Sequence, residues 1–128
     1  MKHVLLILFA TISIIALSAC SNKGNKNSYD QISAKEAKHF MENETCIILD
    51  ARTESEYAAG HIEGAILIPE YEVALRAEAE IPDKSVLILV YCRSGRRSKI
   101  AAEELVKLGY TNVKEFGGII DWPYGTVR

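Results

Sequence analysis

Apolar and polar residues follow two distinct periods along this chain, and the changes of period mark its elements. The sharpest change lies in residues 85–108. Residues 86–90 are continuously apolar and rich in branched side chains, the pattern of a strand buried on both faces. From Ile100 the spacing becomes helical, with Ile100, Ala101, Leu105 and Leu108 near one face. Cys92, Arg93, Ser94, Gly95, Arg96 and Arg97 fall between, which predicts a tight loop at the end of the strand.

The same reading extends to the rest of the chain. Residues 29–32 predict a short first strand. Ser33 with Glu36 fits a capping box, opening a helix to about Met41. Residues 45–50 form a second buried strand, after which Thr53 and Glu56 cap a short helix. The glycine-flanked turn 60–65 leads to a third strand at 66–68, stopped by Pro69. Residues 70–80 are rich in helix formers, with Val73, Leu75 and the alanines as a modest apolar face. Residues 81–84 turn the chain into the central strand. Gly109 caps the long helix, the last strand lies within 110–116, Gly117 and Gly118 break it, and 119–122 begin a final helical turn. Strands alternating with helices predict an α/β fold: a largely parallel sheet with helices on both faces. At 128 residues with no visible repeat, one domain is expected.

The N-terminus stands outside this pattern. Lys2 and His3 precede an apolar run, residues 4–17, with the length of a signal-peptide core and too short for a confident membrane span. The next residues, Leu17-Ser18-Ala19-Cys20, resemble the bacterial lipoprotein signal, which implies cleavage just before Cys20 and lipid with acyl chains such as palmitate attached to that cysteine. An ordinary signal cut after Ala19 and a short uncleaved anchor are the alternatives. Residues 21–28 are polar and read as a flexible tether reaching roughly 28 Å at most. The expected organisation is therefore a signal over 1–19, a lipidated cysteine and tether over 20–28, and a folded domain over 29–128. That places the domain outside the cytoplasm, anchored by lipid to a bacterial membrane. The formal charge of −2 shows no basic excess for nucleic acid.

The loop supplies the candidate chemistry. A side chain at the C-terminal end of a parallel strand faces the crevice where such sheets bind ligands. Gly95 lets the backbone turn its amides inward, and converging N–H groups make an anion nest beside the helix N-terminus. Three arginines add charge, so the Cys92 thiol should ionise more readily than usual. A buried structural cysteine is the bland alternative, but an apolar pocket would not be flanked by Arg93, Arg96 and Arg97.

Residues 92–97 read Cys-Arg-Ser-Gly-Arg-Arg and resemble the active loop of the rhodanese family. Asp50-Ala-Arg52 at a strand end, Glu56-Tyr57, the turn Gly60-His-Ile-Glu-Gly-Ala65, and Gly117-Gly118 with Trp122 are similar to that family as well. The resemblance spans residues 29–122 and implies a rhodanese-like five-stranded sheet. It also implies a sulfurtransferase in which Cys92 attacks the outer sulfur of an anionic donor such as thiosulfate. The resulting persulfide would pass its sulfur to cyanide or a thiol. Arg93, Ser94, Gly95 and Arg96 would shape the cradle through their amides, with Arg97 and Arg96 attracting the anion. No cofactor or metal is implied, and a monomer is expected. The family's longer terminal helix looks shortened before Arg128.

Other residues take plainer readings. Asp50 and Arg52 are expected to fix loops near the site, Arg52 by an ion pair to Asp50 or Glu56. His39 reads as a surface or half-buried side chain, His61 as a turn contact, and Trp122 as a core plug. Cys46 begins its strand where Cys92 ends its own, so aligned parallel strands hold them too far apart for a disulfide, and Cys46 is expected in the core. Two other functions compete with the enzyme. A phosphatase of the Cys-x5-Arg type needs its arginine six places after the cysteine, where this chain has Ser98. A non-catalytic sulfur carrier or sensor would use the same cysteine and differ only in its acceptor.

Overall fold

The computed structural model describes residues 28–128. The signal-like run, Cys20 and all of the tether except Ser28 lie outside the described residues. One sheet of five parallel strands organises the domain: β1 (Asp30–Gln31), β2 (Cys46–Asp50), β3 (Ile66–Leu67), β4 (Leu87–Cys92) and β5 (Val113–Gly118). Their order across the sheet is β1-β5-β4-β2-β3. All six residues of the central strand β4 are buried, as its unbroken apolar run requires.

Four helices cover the two faces. Helices α1 (Ala34–Asn43) and α2 (Glu54–Ala59) lie on one side, where Ala37 and Tyr57 pack with Leu87, Leu89, Tyr91 and Phe116. Helices α3 (Val73–Glu80) and α4 (Arg96–Lys107) lie on the other, where Val73, Ala77, Ala101, Ala102 and Leu105 meet Ile88, Val90 and Cys92. The chain runs β1 to β2 to β3 in one direction and returns through β4 and β5. Crossovers of one hand must change faces when the direction reverses, which accounts for the division of helices. The connections after β2 and β4 consequently diverge, opening a crevice at the C-terminal ends of these two neighbours.

Both capping boxes form. Ser33 Oγ accepts the Glu36 amide at 3.1 Å, and Thr53 Oγ1 accepts the Glu56 amide at 3.4 Å, with each glutamate reaching back to its cap. Cys46 pairs with Leu87 in the β2–β4 ladder, at the opposite end from Cys92, and both cysteines are free.

Several expectations need correction. Helix α4 begins at Arg96, four residues before Ile100, so Arg96 and Arg97 are helical and the loop is shorter. Its buried face is Ser98, Ala101, Ala102 and Leu105, while Ile100 and Leu108 are half-buried. Residues 70–72 form a 3-10 turn before α3, and Leu75 is 85% exposed. Val73, Ala77 and Ile81, spaced by four, make the buried stripe instead. Gly117 and Gly118 do not break the last strand. They continue it through a register shift that places Gly118 beside Cys92. Cys46 is half-buried at the margin of the core, and Trp122 sits at its rim against Phe116 and Tyr124. The chain after Trp122 returns to pair Val127 with His61 in an antiparallel bridge.

Candidate active site

Cys92 closes β4 and is 1% exposed as a whole residue. Gly95, with φ +105°, turns the chain back so that its amide donates to Cys92 Sγ at 3.0 Å. No side chain caps α4, and the sulfur takes the place a cap would occupy at the helix N-terminus. Burial pushes the thiol pKa up. Hydrogen bonding at Ser98 and at the amides of Gly95 and Ser94 outweighs it and holds the thiol below its ordinary value. The arrangement can present a sulfur anion, or a charge one bond beyond it, to a ring of amide donors.

The arginines divide into two kinds. Arg93 and Arg96 are exposed, and neither guanidinium is in an ion pair among the described residues. Arg97 is instead held by Glu56 of α2 in a fork, Nη1 to Oε2 at 2.7 Å and Nη2 to Oε1 at 2.8 Å. The Arg97 guanidinium brings the Glu56 carboxyl down to about 2, and Glu56 in turn raises the pKa of Arg97. Of the three cations expected at the rim, Arg97 is committed to Glu56.

At the end of β2, Arg52 forms the ion pair with Asp50, Nη2 to Oδ2 at 2.7 Å, and also donates to the Gly60 carbonyl at 2.7 Å. Asp50 is fully buried and accepts the Tyr91 hydroxyl at 2.6 Å, and the Tyr91 hydroxyl oxygen in turn accepts the Ile62 amide at 3.0 Å. Burial, then the neighbouring Asp50, raises the Tyr91 phenol well above its usual range. This network ties the turn at 60–65 to the strands that carry the site. His61 stacks on Tyr57 with ring centroids 3.7 Å apart, and its Nδ1 lies 2.9 Å from the Tyr57 carbonyl. An open pocket of about 320 Å³ lies beside the loop, with Arg93, Glu56, Ile119 and Ile120 among its walls. A second, of about 420 Å³ between α1 and the C-terminal residues, includes none of the loop.

Three site residues escape a reading centred on the loop. Ser98 lies 3.3 Å from Cys92 Sγ through its hydroxyl, and Glu115 Oε1 lies 2.7 Å from the same hydroxyl. Ser98 is detectable because it shares the helical face of Ala101, Ala102 and Leu105, and Glu115 because it alternates with buried Val113. Gly118 is the third: a Cβ there would stand 2.0 Å from the Arg93 carbonyl oxygen and 2.6 Å from Ser94 Cα. The loop rests directly on its backbone.

Residues 33–122 match the family model described as the Rhodanese-like domain. Over 73 residues the chain is 42% identical to "Thiosulfate sulfurtransferase PspE" of Escherichia coli strain K12, covering 57% of this chain and 70% of the relative. It is 37% identical over 87 residues to "Sulfurtransferase" of Allochromatium vinosum, covering 67% and 79%. A solved structure described as "rhodanese with anions from E. coli" superposes with a TM-score of 0.62 at 38% identity, covering 66% of this chain and 99% of that one.

Proposed function

The chain belongs to the rhodanese-like domain family, and from that premise we propose that it is a sulfurtransferase working through a persulfide on Cys92. One observation carries the reading: a buried sulfur at the end of the central strand receives the Gly95 amide at 3.0 Å, in a loop that carries the exposed Arg93 and leads into Arg96. The Cys92 thiolate attacks the outer sulfur of a small anionic donor such as thiosulfate. A Cys92–sulfur bond forms as the sulfur–sulfonyl bond breaks, and sulfite leaves with the bonding pair. The remaining negative charge sits on the outer sulfur, where the loop amides can receive it. Cyanide or a thiolate then takes that sulfur and returns Cys92 to the thiolate. Arg93 and Arg96 attract the donor electrostatically, and the Arg97–Glu56 pair holds the first turn of α4 against α2. The reading includes anchoring through acyl chains on Cys20 of the signal-like N-terminus, which would keep the domain at a bacterial membrane outside the cytoplasm.

The test is intact mass spectrometry of the reduced protein before and after thiosulfate. A gain of one sulfur atom, absent in Cys92→Ala and removed by cyanide, is expected. A folded, reduced protein that gains none would overturn thiosulfate as donor.

A further inference from the structure

Glu115 is a buried carboxylate that the sulfur-transfer scheme leaves unused. It is 3% exposed and lies opposite Val90 in the ladder, which turns its side chain toward α4 and the underside of the loop. Its Oε1 accepts the Gly117 amide at 2.7 Å and the Ser98 hydroxyl at 2.7 Å. That hydroxyl has one proton and four acceptors within reach. They are Glu115, the Gly95 carbonyl at 3.0 Å, the Gly117 carbonyl at 3.4 Å and Cys92 Sγ at 3.3 Å. An ionised carboxylate at the shortest distance makes the strongest of these bonds. The hydroxyl proton therefore points at Glu115, and a lone pair faces the sulfur. A thiol fits that lone pair as donor, whereas a thiolate must compete with Glu115 for the single proton.

We propose that Glu115 is a positioning residue that governs Cys92 through Ser98: by holding the hydroxyl proton, it favours the thiol over the thiolate while Cys92 carries no extra sulfur. This rests on the reading of Cys92 as the nucleophile. Ionisation releases the thiol proton to water, with no electron transferred, and leaves the thiolate and the Glu115 carboxylate sharing the single hydroxyl proton of Ser98. Once sulfur is loaded, the negative charge sits one bond farther from Glu115, and the inner sulfur no longer competes for the hydroxyl. The carboxylate thus disfavours the empty thiolate relative to the loaded form. The remaining charges around the sulfur are Arg93 and Arg96 at the exposed rim, Arg97 paired with Glu56 from α2, and Asp50 paired with Arg52 from β2. Lys114 faces α1 and pairs with Asp30, and Lys99 is exposed to solvent. Glu115 is the buried anion joined to the sulfur by hydrogen bonds.

The experiment is the pH profile of iodoacetamide alkylation at Cys92 in the purified full chain, read by peptide mass spectrometry. Glutamine accepts the same bonds without charge, leaving the hydroxyl free to turn to the thiolate. Glu115→Gln should therefore move the inflection down by about one to two pH units, raising alkylation about tenfold or more on the acid side. Ser98→Ala alone should move it by less than about half a unit, because its proton is already directed at Glu115. In the Glu115→Gln background the same change should raise it. An unchanged or raised inflection in Glu115→Gln overturns the proposal. So does a rise of about one unit or more in Ser98→Ala alone, a result that does not depend on whether Glu115→Gln folds. Sulfur loading by thiosulfate is measured separately. Loading without the shift removes only the role of Glu115, and the shift without loading removes only the sulfur-transfer reading.

Discussion

Replacing Glu56 with glutamine tests the pairing that ties α2 to α4. The fork to Arg97 is half-buried, with side chains 28% and 23% exposed, and Glu56 Oε2 also accepts the Thr53 amide at 3.0 Å. Its carboxyl falls from an ordinary 4.5 to about 2, chiefly through Arg97. At about 1.4 kcal/mol per pH unit, that gap corresponds to roughly 3 kcal/mol at neutral pH. Partial solvent screening reduces it to about 1–2 kcal/mol. The sign is that of a depressed carboxyl. The stabilisation is complete above about 4.5, where the unfolded carboxyl has ionised, and disappears as pH falls toward about 2. Urea unfolding of both proteins at neutral pH should show Glu56→Gln less stable by about 1–2 kcal/mol, with an unchanged m-value. The difference should shrink through mildly acid pH and close near pH 2. A gap of the same size at every pH would refute the argument, because it would assign the loss to the Thr53 cap or to packing rather than to the charge of Glu56.

Two further substitutions test the site itself. Gly118→Ala drives a methyl into the Arg93 carbonyl and Ser94 backbone, so it should cost at least about 2 kcal/mol and impair sulfur loading, read by thermal melting and intact mass; a variant of normal stability and loading would show that the loop does not rest on this backbone. Arg93→Ala and Arg96→Ala remove exposed rim cations and should raise KM for thiosulfate about threefold to tenfold each with little change in melting temperature. Equal loss of kcat with a neutral donor would count against charge recognition.

Much of the architecture was legible because the signals were local. Unbroken apolar runs placed β2 and β4, and serine or threonine followed by glutamate at the third place marked two helix starts. The Cys92 loop was legible because charged and small residues interrupt an otherwise apolar strand–helix unit. What stayed hidden depends on register and on partners distant in sequence. Arg97 reads as a free cation until α2 brings Glu56 across 41 positions. Leu75 reads as core until Val73, Ala77 and Ile81 take the buried stripe. Gly117-Gly118 reads as a stop, since a pair of glycines usually ends a strand. Here Gly117 has φ +89° and Gly118 admits the loop, so the pair extends β5 past Cys92.

That irregularity links fold to chemistry. Between Val90 and Cys92 the ladder advances two residues on β4 and three on β5, from Glu115 to Gly118. The extra residue, with Gly117 in a left-handed conformation, lets the Gly117 amide turn back onto Glu115 while Gly118 stays flat beneath Arg93. Without the shift, Gly117 would stand opposite Cys92, and the one position whose missing side chain admits the loop would fall beyond the strand end. One added residue therefore seats the loop that gathers amides on the sulfur and sets a buried carboxylate two hydrogen bonds from it. The two effects oppose one another: the amides favour the sulfur anion, while Glu115 withholds the Ser98 proton from it. A site with only the amides would keep its thiolate exposed to any electrophile. With Glu115 beneath, the anion is best stabilised after its charge has moved outward onto a transferred sulfur.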